Sequence, residues 1–335
     1  MQQHIGGTAW LSNFYSLEVS LGGILANYGF SFAPIYLAGG VADPGFYNIP
    51  DVTPVTTLSV TYQAAGVPVS DTYTGTTLWN LLNTAGGVTT TSAKNDILSK
   101  YVIATGSDGY TAAYSLGEID PQFGNQPILI ASSDEAGQLG PQGSDGLSRV
   151  VVPNDIAGGR YVSDLVSLKV GSLPEPGPTG PGGIAASATL SGAVADPTII
   201  TPETLSQLNQ SQTVTATYLS GSGSVTDTYK GVSLWNLIQD AGLLTDPSIK
   251  NDLLNFGVVA TGSDGYRALF SLGEIDPAFG NQQDIVAYAD RQGQLGAGGS
   301  DGAMRIVVPG DVAGGRYVSN LTSLQVVDLV PFHSA

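Results

Sequence analysis

The chain has 335 residues, long enough for two domains that each bury a core. Apolar residues make up 42% and charged residues only 12%, about half the usual share, and the net charge of −17 argues against nucleic acid or an anionic membrane surface as partner. There is no cysteine and the two histidines, His4 and His333, lie in the tails, which excludes disulfides, zinc–thiolate centres, cysteine nucleophiles and a Ser-His-Asp triad in the core.

Residues 1–33 have no counterpart later in the chain. Within them, residues 9–19 and 24–32 are apolar and aromatic with partial alternation and predict one or two strands. Such an arm either packs on its own domain or adds a strand to a neighbouring copy of the chain. The stretch Leu21 to Gly39 is too interrupted by glycine, Asn27 and Pro34 to predict a membrane span. No basic residue precedes it, so it does not read as a signal peptide. Low charge with abundant Gly, Thr and Tyr favours an extracellular or periplasmic protein.

From Tyr36 the chain repeats itself. The stretch Ala104-Thr105-Gly106-Ser107-Asp108-Gly109-Tyr110 returns unchanged at Ala260 to Tyr266, a shift of 156 residues that holds without a gap from Asp71 to Val170. The expected organisation is an arm (1–33), a first domain (34–170), a Pro/Gly linker (171–186) and a second domain (187–335). Val55 to Tyr62 and Thr213 to Tyr218 predict strands. Leu78, Leu81, Leu82 and Ala85, like Leu234, Leu237, Ile238 and Ala241, mark a short amphipathic helix closed by Gly86 or Gly242. Asp246-Pro247 has the form of an N-cap and first residue of a further helix running through Leu254. Ser115-x-x-Glu118 and Ser271-x-x-Glu274 have capping-box spacing, which accounts for both glutamates without catalysis. Strands follow at 101–105, 128–132, 149–153 and 165–170 and at their copies. Gly-Ser-Asp-Gly, found four times, supplies turns. Calcium is the alternative use of those turns, but no spaced run of acidic ligands accompanies them.

In order, these motifs resemble the molybdopterin-binding domain of the sulfite-oxidase family. The matching run is Tyr229 to Trp235, Ala260 to Tyr266, Ser271 to Pro277, Phe279-Gly280-Asn281, Arg305 to Asp311 and Gly314 to Val318. The first copy matches at Tyr73 to Gly75, Ala104 to Tyr110, Ser115 to Pro121, Arg149 to Pro153 and Gly158 to Val162. The resemblance implies an α+β fold of two duplicated domains, mostly β with short helices around mixed sheets. Catalytic relatives hold molybdenum through a pterin dithiolene and a cysteine. They carry a histidine before the Arg-x-Val-Val-Pro strand and a lysine three residues after the Gly-x-Arg arginine. This chain has no cysteine, no histidine in either stretch, and Ser163 and Ser319 at the lysine position. The expectation is therefore a non-catalytic protein with no catalytic residues, no metal and no bound cofactor of that chemistry.

The candidate ligand-binding residues are Arg149, Arg160, Arg305 and Arg316, which could fork onto phosphate or carboxylate, and Tyr110, Tyr161, Tyr266 and Tyr317, which could stack on a flat heterocycle. By the resemblance, Arg160 and Arg316 lie near where a pterin phosphate binds. The competing reading puts the arginines in structural ion pairs, with Asp155 or Asp311 or with Asp108 or Asp264, and the tyrosines in core or surface packing. Two functions follow: a binding protein for a pterin-like or other small anionic ligand, or a structural subunit of an extracellular filament or surface assembly joined through residues 1–33.

Overall fold

The computed structural model describes residues 34–140, 146–174, 182–296 and 301–330. The strands expected between residues 9 and 32 lie outside the described residues. The first half runs β1 (Ile35–Gly39), β2 (Gly45–Tyr47), β3 (Thr56–Ala64), β4 (Val67–Thr77), α1 (Leu78–Thr84), β5 (Lys100–Gly106), β6 (Thr111–Ser115), α2 (Leu116–Ile119), β7 (Leu129–Asp134), β8 (Gly137–Gln138), β9 (Arg149–Val151) and β10 (Leu165–Ser172). The second half follows the same order: β11 (Ala188–Gly192), β12 (Thr198–Ile200), α3 (Pro202–Gln207), β13 (Ser211–Ser220), β14 (Gly223–Ser233), α4 (Leu234–Asp240), β15 (Phe256–Gly262), β16 (Arg267–Ser271), α5 (Leu272–Ile275), β17 (Ile285–Asp290), β18 (Gly293–Gln294), β19 (Arg305–Val307) and β20 (Leu321–Asp328). The molecule is mainly β with short helices, as expected; β10 runs two residues into the expected linker. No helix among the described residues is long and apolar enough to cross a membrane.

Each half folds into two sheets. In the first half one has the order β2-β1-β10-β5-β6 and the other β3-β4-β7-β8, with β9 also on β7; the second half repeats both orders. The β1–β10 and β11–β20 pairs are parallel and the rest antiparallel, so the sheets are mixed. The long β3–β4 hairpin closes through Ala65 and Gly66, both at positive φ, the tight turn that matches strand twist. On its solvent face Thr and Ser pair across the strands, as in Thr57–Thr74 at 2.9 Å, while Val60 and Tyr62 alternate inward. The core lies between the sheets, with residues such as Leu37, Val102 and Leu168 from one and Ile130 and Val150 from the other.

Helix α1 forms as its periodicity predicts. Thr77 caps it by accepting from the Asn80 amide, Leu78, Leu81 and Leu82 are buried, and Gly86 turns out of it at φ +75°. The helix expected from Asp246 to Leu254 does not form. Asp246 closes only a turn, accepting from the Ser248 amide, and Asn251 then takes a left-handed backbone before a single 3-10 turn at Asp252–Asn255. A left-handed residue cannot continue a right-handed helix.

The two halves meet about a pseudo-two-fold axis through β6, β16, α2 and α5. Ile103, Ala113 and Leu173 pack against Val259, Leu269 and Leu329. Phe123 and Leu98 are buried in the core of the second half, and Phe279 and Leu254 in that of the first. Gly315 and Gly159 must be glycine here, since a β-carbon at either would overlap the ring of Phe123 or Phe279. Two backbone bonds clamp the exchange, Ile156 N–H to Phe279 O at 2.9 Å and Val312 N–H to Phe123 O at 2.8 Å.

Candidate functional site

The Gly-Gly-Arg motifs place Arg160 and Arg316 at the centre of this interface, each 1% exposed. Arg160 donates from Nε and Nη2 to both oxygens of Asp155, at 2.8 and 2.6 Å, and from Nη1 to Glu118 Oε1 at 2.6 Å. Arg316 repeats this with Asp311, at 2.8 and 2.5 Å, and with Glu274. Bidentate pairs of this kind are the strong form of the ion pair. The pairing with Asp155 and Asp311 is the competing reading of the sequence; Asp108 and Asp264 instead accept the Tyr110 and Tyr266 amides within their own turns.

Only half of each capping box forms. The Ser115 hydroxyl accepts the Glu118 amide at 3.0 Å, as a cap should, but the Glu118 carboxylate turns away to Arg160. The second interaction of the serine crosses the interface: Ser115 Oγ donates to Glu274 Oε2 at 3.2 Å, and Ser271 Oγ to Glu118 Oε2 at 3.3 Å. The glutamates are thus shared between the halves. Gly117 allows the approach, since a β-carbon there would stand 2.6 Å from Arg316 Cδ; Gly273 stands likewise to Arg160.

The cluster holds more carboxylates than cations. Burial pushes the Glu118 carboxyl up to about 7, with Arg160 opposing and Glu274 adding to the rise. Asp284 is 1% exposed, and neither of its side-chain oxygens has a hydrogen-bond partner among the described residues. Burial, reinforced by Glu274, holds it well above the usual carboxylate range. No group of three or more acidic or histidine side chains among the described residues is placed to hold a metal ion.

The other candidates lie outside this cluster, around two clefts. One, of 590 Å³, is lined by Tyr110, Arg149 and Tyr161 of the first half and by Lys250, Asn251 and Phe279 of the second. Tyr110 donates to Gly159 O at 2.6 Å and accepts from Asn251 Nδ2 at 2.9 Å, while the Lys250 ammonium sits 5.4 Å from its ring centre. Tyr161 stacks on Tyr62 at 4.3 Å and donates to Val152 O. Arg149 is mostly buried, 5.2 Å from the Tyr73 ring centre, and donates to the Tyr73 hydroxyl at 3.1 Å. Burial raises Tyr110 and Tyr161, so both stay neutral phenols.

The second cleft, of 280 Å³, is lined by Tyr266 and Tyr317 with Lys94 and Asn95 of the first half. Arg305 is not part of its lining; it pairs with Asp301 at 2.5 Å and lies against Tyr229 and Tyr317. The sequence motifs therefore mark one wall of each cleft. Lys94, Asn95, Lys250 and Asn251 form the other wall and escape a reading by motif, because they belong to the opposite half.

The chain does not fit the molybdenum cofactor implied by the resemblance. It offers no thiolate, and the arginines expected near the cofactor phosphate are buried on Asp155, Asp311 and the two glutamates. No protein-family model and no curated protein matches the chain. Among solved structures it is similar to the crystal structure of the sulfane dehydrogenase SoxCD from Paracoccus pantotrophus. That similarity has a TM-score of 0.34 and 20% identity, over 42% of this chain and 38% of the dehydrogenase chain.

Proposed function

We propose that the chain is a non-catalytic extracytoplasmic binding protein, built from two copies of a molybdopterin-binding-type domain with boundaries near 34–170 and 187–335, whose first cleft takes a small, flat, anionic ligand of pterin type. The observation that carries this reading is the convergence of Tyr110, Tyr161, Arg149 and Lys250 on one cleft of 590 Å³, within the range of small-molecule sites. The half-buried Tyr110 offers aromatic surface for a ring, and the exposed Lys250 offers a cation at the rim. Asp108 also lines the cleft and disfavours a second negative charge on the ligand. The absence of cysteine and of core histidine supports a role without redox or nucleophilic chemistry.

Isothermal titration of the full chain with 6-carboxypterin tests the reading. Saturable heat and a rise in melting temperature are expected, the latter corresponding to about 2.7 kcal/mol at a hundredfold excess over Kd. No heat and no shift at millimolar ligand would sink it.

The structural-subunit reading draws support from a different observation. β2 and β12 are sheet edges carrying exposed Phe46 and Ile199, a surface suited to strand addition by residues 1–33 of another copy. Equal, monomeric elution of the full chain and of residues 34–335 would remove it.

A further inference from the structure

Each half leaves the outer side of a long hairpin open. Among the described residues β3 pairs only with β4 and β13 only with β14, apart from one bridge each, Gln63 to Ala157 and Leu219 to Ala313. The hairpins close on two-residue turns, so Ala64–Val67 and Ser220–Gly223 are hydrogen-bonded pairs. Counting back from there, every second residue turns its N–H and C=O away from the partner strand: Thr57, Ser59 and Thr61 in β3, Thr213, Thr215 and Thr217 in β13. The next residue in each series shows the same outward direction in use: Gln63 N–H donates to Ile156 O at 2.8 Å, and Leu219 N–H to Val312 O at 2.9 Å. No backbone bond among the described residues reaches the other six outward positions. Between them Leu58 and Val214 are only half-buried, at the rim of the core. Neither strand carries a charge or a proline, the usual guards of an exposed edge.

Residues 24–32 have the pattern that such an edge takes. In an extended strand Ile24, Ala26, Tyr28, Phe30 and Phe32 fall on one side, and Leu25, Asn27, Gly29 and Ser31 on the other. The first row matches Leu58 and Val60, or Val214 and Ala216; the second, Leu25 apart, matches the exposed Thr and Ser row. Only residues 33 and 34 separate this segment from β1. From Phe32 to Ile35 the chain spans about 10 Å, the bare separation of two stacked sheets, and β1 belongs to the opposite sheet from β3. No length remains for a turn back onto the molecule's own β3. We propose that residues 24–32 of one copy of the chain add a strand to the β3 or β13 edge of another. This rests on the structural-subunit reading above and names its donor segment. It also moves the acceptor from the three-residue strands β2 and β12 to the long hairpins, where main-chain bonds hold the added strand and the rim of the core takes its apolar row.

The experiment measures mass by light scattering against protein concentration, for the full chain and for its double variant Ser59→Pro, Thr215→Pro. Each proline removes an outward N–H that takes no part in the hairpin ladder, a place where edge strands tolerate it. The wild type is expected to at least double in mass as concentration rises, and the variant to stay at the mass of one chain. A synthetic peptide of residues 21–34 in tenfold excess should return the wild type to single chains. Equal assembly of both proteins overturns these acceptor edges and leaves the structural-subunit reading standing. A peptide without effect overturns residues 24–32 as donor. A wild type that stays a single chain at every concentration overturns both the proposal and that reading. If the variant shows no melting transition, amide hydrogen exchange of the wild type decides. Thr57, Ser59 and Thr61, or Thr213, Thr215 and Thr217, should exchange at least tenfold more slowly in the assembled protein than in dilute single chains. Equal rates, or slow exchange already in single chains, which places the segment on its own molecule, overturn the proposal.

Discussion

The first half carries Ile128 where the second carries Asp284, and Lys100 where the second carries Phe256; all four side chains are buried. The backbone treats the members of each pair alike. The Leu78 amide donates to Ile128 O at 2.7 Å, and the Leu234 amide to Asp284 O at 2.9 Å, so either residue hands its helix to its strand. Lys100 is accommodated by Asp96 at 3.0 Å and Ser172 at 2.9 Å; Phe256 simply joins the core. At the contact between the halves such differences are few: Ser115, Gly117, Glu118, Phe123, Gly159 and Arg160 all recur unchanged 156 residues on. Where the halves meet, the apolar positions vary in size, as Ala113 and Leu269 show, while the positions of the shared ion pairs and of the exchanged rings do not vary.

The sharpest test of that equivalence is the ion-pair cluster. Arg160→Ala and Arg316→Ala each leave two buried carboxylates without their cation and should each cost about 3–5 kcal/mol, read as a lower urea midpoint. Unequal costs would show that the halves do not share the cluster evenly. Next come Phe123→Ala and Phe279→Ala, expected to cost about 3 kcal/mol each. Because each ring sits in the opposite half's core, either variant should shift one common calorimetric transition. Two separated transitions would break the picture of interlocked halves.

Asp284→Ile puts the first half's residue into the second. It removes a buried acid without partners and should stabilise the fold by about 1–3 kcal/mol. It should also change the pH profile. Glu118 and Asp284 hold their protons more tightly folded than unfolded, so they favour the fold fully below the ordinary carboxylate range. That contribution is lost as pH rises above the ordinary carboxylate range, and for Glu118 through about 7. Stability of the wild type should fall over that window and that of D284I less steeply; a flat wild-type profile would remove both groups from the account. The smallest effect expected is in the clefts. Lys250→Ala should weaken 6-carboxypterin binding by about two- to fivefold, while Lys94→Ala leaves it unchanged.

Much of this fold can be read in the residues. Alternation in Val55 to Tyr62, the helix stripe from Leu78, and the Asp turns at Asp108 and Asp264 each depend on neighbours within a few positions, and each forms as its pattern predicts. The pairing of Arg160 with Asp155 is local in the same way. The Glu118 carboxylate is different. Its spacing from Ser115 satisfies a local rule, and only the three-dimensional arrangement reveals a stronger partner in Arg160 and a serine from the other half. The clefts show the same division. Tyr110 and Tyr161 stand out as repeated motif residues, whereas Asn251 meets Tyr110 from 141 positions away. The Asp246-Pro247 start signal is real as a turn, but the left-handed Asn251 stops it.

The repeated contact surface bears on how the chain assembles. A first half presents to a neighbouring molecule almost the same face that its own second half offers. During refolding each half therefore has a choice of partners, and inter-domain misassembly is the characteristic error of such repeats. The tether between β10 and β11 settles the choice by holding the correct half at an effective concentration on the order of millimolar. In dilute solution the chain closes on itself. In concentrated refolding mixtures the same glycines and phenylalanines that lock one molecule link it to the next, and yield should fall as protein concentration rises.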